Sequence, residues 1–163
     1  MPNRFFPVIT ALALAFAGMA SAQGTNVSFG GLKADTSLPV EVTAENLSVN
    51  QGNGTAVFSG DVLVKQGEMR LQAGEIRVQY DATGKGIDKL FATGGVLIVN
   101  ATDAAEAAEA IYTIASGEVL MTGGVLMTQG QTAIKGDRLS INLKSGTGRI
   151  EGGVTTTFMP GGN

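Results

Sequence analysis

Any catalysis by this chain would have to use Asp, Glu, Ser, Thr, Lys or Tyr, because its 163 residues include no His and no Cys. That removes the imidazole base, the serine triad and the histidine metal ligand. It equally removes the thiolate nucleophile, the thiolate zinc site and the disulfide framework. The carboxylates form no distinctive pair: Asp61 and Glu75 sit at the polar positions of alternating segments. There is no Ser–Lys constellation and no phosphate-binding G-x-x-x-x-G-K-[ST] loop. The expectation is therefore no enzyme, no cofactor and no metal. With 11 basic and 14 acidic residues and a net charge of −3, the chain is a poor match to a phosphodiester backbone. No nucleic-acid partner is expected.

What remains is the chemistry of apolar surface. Aliphatic residues recur at a period of two, the strand period. One parity holds Phe58, Val62, Val64, Met69, Leu71, Ile76, Val78, Val96, Ile98, Val119, Met121, Val125, Met127, Ile134, Leu139 and Ile141. These are the candidate lining of an apolar interior. The three methionines among them add a flexible, polarizable surface. Near Gly94 to Val99 the alternation is ambiguous, since Leu97 and Val99 compete with Val96 and Ile98.

The elements positioning these residues repeat. A small-x-x-aliphatic pattern occurs at Ala44, Ala73, Ala108 and Gly136. A second pattern interleaves with it as Gly60-Asp61-Val62, Gly94-Gly95-Val96, Gly123-Gly124-Val125 and Gly152-Gly153-Val154. Val57 matches Leu120, Val62 matches Val125 and Ile76 matches Leu139, all at one offset. Gly-rich turns such as Gln51-Gly52-Asn53-Gly54, Gln66-Gly67 and Ser145-Gly146 separate the runs. The chain reads as a tandem array of consecutive antiparallel strands. The Ala-rich stretch Asp103 to Ala110 has no alternation and is too short for an isolated helix, so it is expected to be a loop or single turn.

Residues 1–22 read as a cleaved signal peptide, with a short apolar stretch from Phe5 to Ala17 and a small-x-small site at Ala20-Ser21-Ala22. A flexible amino-terminal segment, 23–37, then leads into one domain, 38–159, with a short tail, 160–163. A sheet with one apolar face must bury it, and four similar units favour two facing sheets with unpaired edges at either end. Val40 and Val42 at one end, and Val154, Thr156 and Phe158 before Pro160 at the other, are the candidate partner edge strands.

Three segments carry a resemblance. Val42 to Val49 supplies an Ala-Glu-x-Leu strand start, Ala56 to Gly67 an A-x-F-x-G-D-V-x-V-x-Q-G hairpin, and Leu71 to Asp81 an L-x-A strand ending in Tyr-Asp. In that order they resemble the OstA-like (LptA) family of periplasmic lipopolysaccharide-transport domains, with weaker copies continuing to Phe158. The resemblance implies an all-β fold, a twisted β-jellyroll with an apolar interior groove and open ends. It implies that the groove shields the acyl chains of lipid A, and that the protein helps bridge the inner and outer membranes. The implied partners are lipopolysaccharide, the OstA-like domains of LptC and LptD, and further copies joined head to tail. Two other readings stand beside it. One is an LptC-like subunit that keeps its leader as a membrane anchor; the other is a structural β-solenoid that polymerises through its edges without ligand. Lys33, Lys65, Arg70 and Lys135 are the cations that could meet lipid phosphates.

Overall fold

Each Gly-x-Val copy is a bend. In the computed structural model, which describes residues 25–28 and 30–159, every copy puts two consecutive residues in the left-handed region. The φ values are 82° and 43° at Gly60-Asp61, 80° and 83° at Gly94-Gly95, 87° and 83° at Gly123-Gly124, and 81° and 55° at Gly152-Gly153. Only glycine adopts this backbone freely, with Asp a tolerated substitute. Two such residues in a row break the ladder and re-aim the strand. The following valine becomes the first inward residue beyond the bend.

Thirteen strands are present among the described residues: β1 (Thr25–Ser28), β2 (Glu41–Thr43), β3 (Asn46–Asn50), β4 (Thr55–Gln66), β5 (Met69–Tyr80), β6 (Ile87–Thr93), β7 (Val96–Asn100), β8 (Asp103–Ala107), β9 (Glu109–Thr113), β10 (Glu118–Gln129), β11 (Thr132–Asn142), β12 (Thr147–Glu151) and β13 (Thr155–Phe158). All pairings are antiparallel. The long strands cross the bend line. The β4–β5 register shifts between Ser59 and Val62, and the β10–β11 register between Thr122 and Val125. The sheet is thereby folded into two leaves. One runs β3, β4, β5, β6, β9, β10, β11, β12, β1; the other runs β2, β4, β5, β7, β8, β10, β11, β13. The bends form a spine, and the tight turns form two rims facing each other across a mouth. This is the all-β jellyroll that the family resemblance implies, built from the strands that the alternation predicts.

Three features depart from the sequence expectation. Asp103 to Ala110 is not a loop or turn but β8 and the start of β9. Neighbouring strands supply its backbone hydrogen bonds, and alanines that cannot sustain a short helix fit an interior position, with Ala105 and Ala110 buried. In that third unit the inward residues are Ala110 and Tyr112, whereas Ile111 faces outward. The stretch 23–37, read as flexible, contains β1, a 3-10 turn at Gly30–Leu32 and a fully buried Leu32. β1 reaches the far end of the chain to pair with β12, a long-range contact that no local pattern announces. The expected edge strands, β2 and β13, both belong to one leaf, while the other leaf ends in β3 and β1. The signal peptide and the tail 160–163 lie outside the described residues.

Candidate functional site

Inward side chains of adjacent strands line up in rows that cross the leaves at right angles to the strands. In the first leaf one row runs Leu47, Phe58, Ile76, Ala92, Ala110, Met121, Leu139, Ile150. A second row, nearer the rim, runs Val49, Ala56, Val78, Leu90, Tyr112, Val119, Ile141. The second leaf answers with Val42, Val64, Leu71, Ile98, Ala105, Met127, Ile134, Thr156. With strands about 4.8 Å apart, such a row is on the order of 30 Å long. The interior is a continuous apolar track.

All sixteen residues expected to line the interior lie on this inward parity. Phe58 is half-buried near one end, and the other fifteen are 0–5 % exposed. The ambiguity near Gly94 resolves with Val96 and Ile98 inside and Leu97 and Val99 half-buried. Periodicity also left out interior residues that the ladder reveals: Leu90 and Ile150 face in, as does Tyr112, and their partners in register are all on the interior parity. The ends of the track differ. At the β3 end, Leu47 and Val49 point inward yet are each 57 % exposed, because no strand lies beyond them. At the β13 end the edge carries Thr155, Thr156 and Thr157 before Phe158, which is 73 % exposed. Of the other edge candidates, Val40, Val42 and Val154 are half-buried against the core.

Polar groups inside the fold are few and sit at the mouth. Gln66, Asn100 and Asp103 are the buried polar or charged residues among those described. Tyr112, on the first leaf, donates from its hydroxyl to Gln66 Oε1 on the second at 2.7 Å, tying the leaves together. Asp103 accepts from Gln129 Nε2 at 3.0 Å. No group of three or more potential metal-ligating side chains occurs among the described residues. Lys65 and Arg70 are paired across β4 and β5, Lys135 lies on β11, and Lys33 lies beside the mouth.

Burial among aliphatic side chains raises the Tyr112 hydroxyl from 10.0 to about 12. Between those values the unfolded chain has lost this proton and the folded chain has kept it. Stability should therefore be fully present below pH 10 and fall as pH rises toward 12. Urea unfolding at several pH values checks this. Tyr112→Phe should be less stable at neutral pH, having lost the bond to Gln66, but should decline less between pH 10 and 12.

Comparison with known proteins adds to this geometry. The profile of the family described as "LptA/(LptD N-terminal domain) LPS transport protein" matches residues 41–147. An uncharacterized protein of Rhizobium meliloti (strain 1021) is 34 % identical over 89 residues, 51 % of this chain and 48 % of that protein. The lipopolysaccharide export system protein LptH of Pseudomonas aeruginosa (strain PAO1) is 30 % identical over 76 residues, 47 % of this chain and 42 % of LptH. The chain thus spans about half the length of the curated relatives it matches. The crystal structure of P. aeruginosa LptH, described as the LptA-homologous periplasmic component of the lipopolysaccharide transport device, superposes with a TM-score of 0.69 at 16 % identity. The match covers 78 % of this chain and 99 % of that one, and it establishes a shared fold.

Proposed function

The chain belongs to the LptA and LptD amino-terminal family of lipopolysaccharide-transport proteins, and from that premise we propose that it carries lipopolysaccharide across the periplasm with the acyl chains of lipid A held between its leaves. The observation that carries this reading is the apolar track to which β2 to β12 all contribute. Each methylene removed from water contributes roughly 0.8 kcal/mol, so several fatty chains need a continuous apolar path and no chemistry to cross an aqueous space. The phosphates and sugars stay at the mouth, in water. Energy for directional movement comes from elsewhere in the pathway.

The ends of the track suit assembly. The open edges of β2, β3 and β13, together with the exposed Leu47, Val49 and Phe158, offer unpaired backbone and apolar side chains to another OstA-like domain. Partners of this kind are the corresponding domains of LptC and LptD and further copies of this chain, joined head to tail into a bridge from inner to outer membrane. A leader cleaved after Ala22 would release the protein into the periplasm.

Site-specific photocrosslinking tests the cargo. Probes at Phe58 and Met121, on the inward parity, should capture lipopolysaccharide, and probes at Ser59 and Lys65 should not. Equal capture from both parities would remove the basis of the carrier reading. The structural-polymer reading has one observation in its favour, the close packing of the inward residues. It predicts no capture at any position.

A further inference from the structure

Residues 31–38 lie across the mouth without joining the sheet. Leu32 is fully buried within the apolar cluster, while Lys33, Asp35, Ser37 and Leu38 are exposed. The backbone of the segment is held mainly by side chains from the rims. Asn100 Nδ2 donates to the Lys33 carbonyl at 2.7 Å, and Gln66 Nε2 donates to the carbonyls of Thr36 and Leu38 at 3.1 and 2.9 Å. Both of these come from the second leaf. On the first leaf the Leu143 carbonyl accepts from Ala34 N–H at 2.9 Å, and Thr36 packs near Gly117. The segment therefore spans from rim to rim. A Cβ on Gly31 would collide with the Asp103 carboxylate, so the buried polar residues Gln66, Asn100 and Asp103 all border it.

We propose that this segment is a releasable strap that controls entry of acyl chains into the track. It is built to detach. It has one buried apolar side chain, and among the described residues only the Ala34–Leu143 bond is a backbone pairing to a leaf, so lifting it breaks no ladder. Asn100 Oδ1 is buried with no hydrogen-bond partner among the described residues, and release of the strap lets water reach it, which offsets part of the lost bonding. With the strap in place the inward residues close on one another. With it released, the rims part about the glycine spine and a fatty chain takes the place of Leu32. The inference rests on the carrier reading only for the identity of the cargo.

The test is a cysteine pair, Thr36→Cys with Lys144→Cys. Both side chains approach the same point, the Cβ position of Gly117, at 3.3 and 2.9 Å, and the chain has no other cysteine. Oxidation, or a short bis-maleimide, locks the strap in otherwise identical protein. The probes are N-phenyl-1-naphthylamine, a small apolar dye, and lipopolysaccharide micelles. The reduced protein should bind both, and the locked protein should lose about tenfold or more in dye affinity and in lipopolysaccharide uptake. Leu32→Ser, folded as judged by circular dichroism, should bind the dye more tightly than the native chain. If locking excludes the dye and no form takes up lipopolysaccharide, the strap stands and the cargo assignment falls. If locked and reduced forms bind both probes equally, the strap is overturned and the carrier reading survives. If no form, Leu32→Ser included, binds either probe, both are overturned.

Discussion

Leu139→Ala is expected to destabilise the protein by about 2–5 kcal/mol, read from urea unfolding at neutral pH. Leu139 is fully buried and lies between Met121 on β10 and Ile150 on β12 within an inward row. Its truncation removes apolar contacts on both sides, and the antiparallel ladder prevents the neighbouring strands from closing the gap. The matched comparison is Leu47→Ala. Leu47 occupies the same row but is 57 % exposed at the end of the track, so the same truncation should change stability by only about 0.5 kcal/mol. Two leucines of one row thus compare a buried position with an exposed one at the end of the track. Similar losses at both positions would mean that the row is not a continuous buried interior.

Gly123→Ala should be comparably severe for a different reason. Gly123 has φ 87°, and a Cβ there would lie 2.5 Å from the Cβ of Ala108, a side chain with no rotamer through which to yield. Gly95→Ala is the control: φ is 83°, but nothing lies within 4 Å of the added atom. The control should show backbone strain alone, about 1–3 kcal/mol, and Gly123→Ala should exceed it because neighbouring strands are pushed apart along the spine. Thermal unfolding of both variants beside the native chain measures the difference. Equal losses would show that the spine accommodates the added methyl by shifting Ala108.

The alternation in segments such as Val62 to Val64, Met69 to Ala73 and Ile76 to Val78 determined strands, their inward faces and hence an all-β fold, because side-chain direction in a strand is a local property with a fixed period. The Gly-x-Val copies stood in the sequence only as a repeat; the fold makes them bends, and glycine recurs there because a backbone with φ above zero selects it by sterics. Tertiary structure decided the rest. The segment Asp103 to Ala110 became strand because β7 and β10 present unpaired backbone to it, and Tyr112 faces inward because Ile111 was turned out by that pairing. Leu32, Gln66 and Asn100 meet at the mouth although they are far apart along the chain. Their encounter depends on where a folded sheet brings its two rims, a long-range outcome that no local pattern of residues encodes.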